Sequence, residues 1–307
     1  VPAMSRDNPL LGILLMIGFC AFAPLGDSMA KLIGAAIPLG QVLLVRSGVQ
    51  ALILWPLCRR AGHSLAHSPR IYLMILLRCV LQVAGFGAMV LALRFLPLAD
   101  AIAIAYVMPF LLLLMGWFFL GEHVGIRRLL ACMVGFSGTL MVMQPSFAEV
   151  GWPAALPLLV AVIFSCFMLV TRQLGRHVDP LPLQALTGLM GTALLFPVIL
   201  LADGTGWAEL DPVEPTRREI VLLALLGLLA TISHLLMAWS LRFAPAATVA
   251  PIQYSEIPFA ALYGWLIFDQ FPDGLALVGI GVVMSAGLYI IWRERIALRA
   301  QARPGSP

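Results

Sequence analysis

A chain of 307 residues that is 61% hydrophobic and only 11% charged, with mean hydropathy +0.99, cannot clothe a water-facing surface; a soluble domain carries roughly 25% charged residues. The formal net charge of +4 comes from arginines scattered between apolar segments, so no basic patch marks a nucleic-acid-binding face. The apolar segments continue to residue 292, so a secretory leader alone does not account for them, and the solvent for most of this chain is a lipid bilayer.

Crossing the hydrocarbon core takes roughly 20 apolar residues. Ten segments have that length, at about 10–32, 38–58, 70–94, 97–120, 126–145, 151–172, 180–202, 218–243, 246–268 and 272–292. The reading is therefore an all-α integral membrane protein of ten transmembrane helices. Span 1 holds Pro24 and, near its far end, Asp27 and Lys31 at i,i+4, which reads as an interfacial ion pair. Span 2 places Arg46 and Gln50 on one face, and span 3 places Arg78, Gln82 and Phe86 on another. Span 4 opens at Leu96-Pro97 and carries Asp100, Tyr106 and Pro109. Span 5 holds Gly135-Phe136-Ser137-Gly138, and span 7 holds Pro197. The stretch from Asp203 to Arg217 is acidic and Pro-rich but no longer than a loop. Span 8 contains His234 and Trp239, and span 9 contains Pro251, Gln253, Tyr254, Glu256 and Pro258. Residues 1–9 read as a cytoplasmic N-terminus and 294–307 as a polar, disordered cytoplasmic tail. The five cysteines form no CxxC pair and lie mostly within spans, where they read as small packing residues. Nothing in the sequence calls for a metal or a cofactor.

Lysine and arginine set the orientation. With the N-terminus inside, the cytoplasmic segments hold thirteen basic residues: Arg6, Arg59, Arg60, Arg70, Arg127, Arg128, Arg172, Arg176, Arg242, Arg293, Arg295, Arg299 and Arg303. The outer segments hold four: Lys31, Arg94, Arg217 and Arg218. Both termini are thereby expected in the cytoplasm. The second half also repeats the first. Residues 92–110 read ALRFLPLADAIAIAYVMPF and residues 240–259 read SLRFAPAATVAPIQYSEIPF. Arg94, Phe95, Pro97 and Tyr106 fall on Arg242, Phe243, Pro245 and Tyr254 at a spacing of 148, and Gly116-Trp117 falls on Gly264-Trp265 at the same spacing. Ten spans in two halves give five per half, residues 10–145 and 151–293. An odd number means the second half enters the membrane upside down. This 5+5 inverted repeat is the layout in which two halves exchange roles during alternating access.

The ten-span layout, the LPLADAIAIAYVMPF segment, the following Gly121-Glu122 and the Gly135/Gly138 span resemble the EamA type of the drug/metabolite transporter superfamily over about residues 10–293. The second half departs from the pattern at Asp269-Gln270, where the first has Gly-Glu. The resemblance implies export of amino acids or related metabolites, or uptake of riboflavin or an S-adenosylmethionine-like compound, across a bacterial inner membrane.

Ionisable side chains at bilayer depth cost about 2.5–3.5 kcal/mol each and require a partner or a wet cavity. Glu256, His234, Arg78 and Arg46 lie about 12–19 Å from the cytoplasmic ends of their spans at 1.5 Å per residue, which puts them in one band near the midplane. With Gln82, Gln253, Tyr106, Tyr254 and Trp239 they form the candidate substrate and coupling set. Arginine takes a carboxylate through two parallel hydrogen bonds, and tyrosine faces stack on rings or cations. Glu256 suits an amino group or a coupling proton, and His234 suits a proton. The structural alternatives are an arginine locked to Glu256 and a neutral histidine on a backbone carbonyl. Pro109, Pro251 and Pro258 are candidate bends that free backbone carbonyls. A remote alternative is an intramembrane protease built on Ser137 with His234 as base, although the only asparagine, Asn8, lies outside the spans.

Overall fold

The computed structural model describes residues 8–63, 66–93, 104–122, 124–143, 155–269, 271–272 and 274–301. Arg94, Phe95, Pro97 and Asp100, both extreme termini and Gln270 lie outside the described residues. Among the described residues every regular element is helical. The helices are α1 (Pro9–Ile33), α2 (Leu39–Arg60), α3 (Pro69–Leu93), α4 (Met108–Leu120), α5 (Ile126–Met143), α6 (Ala155–Leu174), α7 (Pro180–Ala202), α8 (Arg217–Phe243), α9 (Ala246–Val249), α10 (Glu256–Phe268) and α11 (Gly274–Gln301). Seven of them are long and apolar enough to cross a membrane, and α4 is a shorter apolar helix.

Local sequence explains several boundaries. The Asn8 side chain accepts from Leu11 N at 3.2 Å, with Pro9 at the first helical position, so α1 starts where a donor is satisfied and a missing N–H costs nothing. Thr216 and Glu219 form a reciprocal capping box at the start of α8. The fourth and ninth spans are interrupted rather than continuous. In the fourth, Ile104 and Ala105 are helical, Tyr106 and Val107 form a turn, and α4 begins one residue before Pro109. In the ninth, α9 gives way to a 3₁₀ segment, Ala250–Ser255, which contains Pro251 and leads into α10 with Pro258 in its first turn. Proline lacks the N–H that a continuous helix needs and clashes with the preceding turn. Both interrupted spans end in a left-handed residue, Gly121 (φ 64°) and Asp269 (φ 56°). These positions are 148 apart, so the repeat persists in the backbone.

The helices pair across the halves. The most extensive contacts join α1 to α8, α2 to α7, α5 to α11 and α3 to α6. Exchanging the first five spans for the last five turns the α1–α8 pair into α6–α3 and returns the α2–α7 and α5–α11 pairs to themselves. That is the signature of a pseudo-two-fold axis running between inverted repeats. Small residues permit the close approach. A Cβ on Gly138 would lie 2.9 Å from the Gly279 carbonyl, and a Cβ on Gly12 would lie 2.4 Å from that of Ala244. Large apolar side chains such as Leu52, Phe118 and Leu201 are exposed on the outer faces, as a lipid-facing surface requires.

Candidate functional site

Tyr106 and Tyr254, equivalent in the repeat, touch each other. Their ring centroids are 6.0 Å apart and the Tyr254 hydroxyl donates to the Tyr106 carbonyl at 3.2 Å. Equivalent residues meet only near the axis that relates them, so this pair marks the centre of the molecule. Both are buried and pack there instead of lining open space. Glu256 starts α10 two residues after Tyr254 and lies near this tyrosine pair. A carboxylate in the first turn of a helix faces the positive end of the helix dipole.

Arg78 is fully buried. Its Nε donates to Thr171 Oγ1 and its Nη1 to Thr187 Oγ1, both at 2.7 Å, and the guanidinium lies 4.5 Å from the Phe167 ring centre. Nη1 also reaches Gln184 Oε1 at 3.4 Å, and the Gln184 amide donates to the His234 carbonyl at 2.6 Å. Gln50 Nε2 donates to the Gln184 carbonyl at 2.6 Å. Arg46 approaches His234 Nε2 with Nη2 at 3.1 Å, while His234 Nδ1 faces the Ala230 carbonyl at 3.0 Å. A cationic donor on one ring nitrogen and a carbonyl on the other fit a neutral imidazole with its proton on Nδ1. Arg46, Arg78 and His234 thus belong to one hydrogen-bonded network that joins α2 and α3 to α6, α7 and α8. Among the described residues neither arginine pairs with Glu256.

Beside this network lies a cavity of about 50 Å³ between the halves, lined by Asp27 of α1, Arg46 of α2, Phe86 of α3 and Ser233 and His234 of α8. That is space for one or two waters, at about 30 Å³ each, and not for a metabolite. Asp27, expected at the interface with Lys31, is on this cavity wall; the Lys31 ammonium sits 4.2 Å from the Phe268 ring centre. Glu256, Gln82, Gln253 and Trp239 are not among the lining residues. Trp239 is five positions beyond His234, about 140° around the helix at 3.6 residues per turn, and faces elsewhere. Gln253 is fully buried with neither side-chain polar atom partnered, and Gln82 Oε1 is likewise unpartnered. Asp27, Thr171, Gln184 and Thr187 were not legible as site residues. Asp27 and Gln184 at least carried a signal, as polar groups within apolar runs.

The helices are cross-linked at the end of the bundle that carries Asn8. Ser240 Oγ donates to the Gly12 carbonyl at 2.6 Å. Glu122 accepts from Arg172 Nε at 3.4 Å and from Ala247 N at 3.0 Å, which caps α9, and Arg172 Nη1 donates to the Leu241 carbonyl at 2.7 Å. Asp179 bridges Arg242 and His63. The protease arrangement is not assembled: Ser137 Oγ donates to the Val134 carbonyl at 2.8 Å, on an exposed face of α5, and shares no hydrogen bond with His234.

Similar proteins fit this architecture. A riboflavin transporter of Rhizobium johnstonii is 30% identical over 273 residues, 88% of this chain and 85% of its own. A pseudopaline exporter of Pseudomonas aeruginosa is 26% identical over 95% of this chain and 98% of its own. An S-adenosylmethionine uptake transporter of Rickettsia bellii is 24% identical over 89% of this chain and 90% of its own. A solved crystal structure superposes with TM-score 0.75 over 92% of this chain at 18% identity, a likeness of fold alone. The sequence model of the EamA-like transporter family matches residues 10–144 and 151–293. With an interrupted span in each half, a polar network between the halves and this match over most of its length, the chain is a multi-pass membrane transporter and belongs to the EamA-like family of the drug/metabolite transporter superfamily.

Proposed function

We propose that this chain is a secondary transporter, with no catalytic step, that exports amino acids or related small polar metabolites across a bacterial inner membrane by alternating access. Both termini face the cytoplasm, in keeping with the thirteen basic residues on that side against four on the other. The two halves, residues 10–145 and 151–293, rock about the Tyr106–Tyr254 contact. The observation that carries this reading is the cavity between the halves with Arg46 on its wall. In a low-dielectric site a guanidinium calls for an anionic group on the cargo. Glu256, at the start of α10 next to Tyr106, is the coupling carboxylate, and a proton is its counter-ion.

A second reading is uptake of riboflavin or an S-adenosylmethionine-like compound, favoured by the 30% identity to a riboflavin transporter. Purified protein in proteoliposomes separates the two. Exchange of radiolabelled amino acids, with riboflavin and S-adenosylmethionine inert, is expected. Riboflavin exchange with amino acids inert would replace the first reading by the second. In the same vesicles Glu256→Gln is expected to abolish net transport driven by a pH gradient while the protein still elutes as a folded peak. Undiminished net transport would remove Glu256 from the mechanism.

A further inference from the structure

The reading above leaves Asp27 without a task. It lines the same cavity as Arg46, yet the two opposite charges do not meet as an ion pair among the described residues. Arg46 is held instead by His234, a neutral partner, at 3.1 Å. Its Nε is buried with no acceptor. A buried cationic donor left unpaired costs free energy that an arriving acceptor recovers. The cavity wall therefore carries, on α2, a guanidinium with one donor unmet and, on α1, an acceptor-only carboxylate. Ala23, Gly26 and Ala30 of α1 flank the cavity.

We propose that Asp27 and Arg46 are the two arms of a receptor for a zwitterionic head group, in which the cargo carboxylate pairs with the Arg46 guanidinium and its ammonium takes the Asp27 carboxylate. This inference rests on the transport reading above and adds to it the residue that selects the cargo. His234 positions Arg46, and because the ring is neutral it leaves the guanidinium charge for the cargo. A cargo with both charges cancels both arms at once. Asp27 is exposed and Arg46 half-buried, so a cargo with a single charge engages one arm and leaves the other unpaired, which lowers its affinity relative to a zwitterion. A flavin ring system offers neither arm an ionic partner. At about 50 Å³ the space admits a head group only when α1 and α8 part from α2.

The test is a binding series on the full-length protein in detergent, read by thermal shift and by competition in proteoliposomes. The probes are L-leucine, L-methionine and L-phenylalanine, their amides and their N-acetyl derivatives. The parent protein is expected to bind at least one free amino acid roughly 10- to 100-fold more tightly than its amide or its N-acetyl form. Asp27→Asn is expected to lose that factor for the free amino acid and to bind the N-acetyl form as the parent does. Arg46→Gln is expected to show the converse, with the amide unaffected. If free amino acids bind and Asp27→Asn binds them as the parent does, the proposal is overturned and the transport reading stands. If riboflavin binds and none of the nine probes does, both fall. If Asp27→Asn does not fold, the parent ranking decides, because equal affinity for free and N-acetylated forms overturns the proposal by itself. Asp27→Glu is then expected to keep the ranking.

Discussion

Arg78 holds its charge against neutral oxygens and an aromatic face, with Thr171 and Thr187 each at 2.7 Å and Phe167 at 4.5 Å. The planar fork of a guanidinium reaches two hydroxyls on different helices, and the point charge of an ammonium does not. Arg78→Lys is therefore expected to destabilise the protein by about 1.5–3 kcal/mol, because hydrogen bonds to charged groups are worth about that much; an unchanged melting temperature in detergent would show that the network carries no stability. Asp269 has the left-handed backbone of its counterpart Gly121 without the freedom of glycine. Asp269→Gly is expected to raise stability by up to about 1 kcal/mol, measured by the same melt. The depth of Arg78 was legible, because an arginine within an apolar run stands out. Its partners were not, because single threonines in a span are ordinary.

Among elements, the interrupted fourth and ninth spans were announced by Pro109, Pro251 and Pro258. The form of each interruption, a turn at Tyr106-Val107 and a 3₁₀ segment at Ala250–Ser255, depends on what packs around it. Gly135 leaves room for the Tyr254 ring, since a Cβ there would lie 2.5 Å from Cδ2. Three residues on, Gly138 brings α5 against Gly279 of α11. Helices in lipid associate by close packing rather than by a hydrophobic drive. Gly138→Leu is expected to pry α5 from α11 and to lower the yield of monodisperse protein in size-exclusion chromatography, with Gly138→Ala intermediate. Parent-like elution of the leucine variant would mean that this crossing is not needed for assembly.

At the scale of the whole molecule one end is tied by a cluster of charged side chains. Glu122, Arg172, Asp179 and Arg242 tie four elements together at the end that carries Asn8, and Ser240 is fully buried there. Alternating access requires this end to open during the cycle. A single cysteine at Ser240→Cys, in a chain whose five native cysteines are replaced, is expected to react with a maleimide several-fold faster during turnover than at rest. Equal rates would mean that this end stays shut. Glu122→Ala removes the carboxylate from Arg172 and the cap from Ala247. It is expected to cost about 3 kcal/mol of stability, the lower range for breaking a buried pair, read as a fall in melting temperature.

Fold class, the ten spans and their inversion follow from quantities summed along the chain: hydropathy over some 20 residues, basic residues between spans, and a spacing of 148 between matching motifs. None of these depends on which way a helix is turned about its axis. Contacts between side chains depend on exactly that rotation. A span that is apolar on every side has no stripe to reveal its orientation. From depth alone, Arg46, Arg78, His234 and Glu256 were equally close. Tertiary packing put Arg46 on His234, Arg78 on Thr171 and Thr187, and Glu256 beside Tyr106, and it turned Asp27 toward the cavity rather than leaving it with Lys31 at the membrane surface. Each residue adds 100° of turn at 3.6 residues per turn, so the face a charge presents is decided only when neighbouring helices have docked.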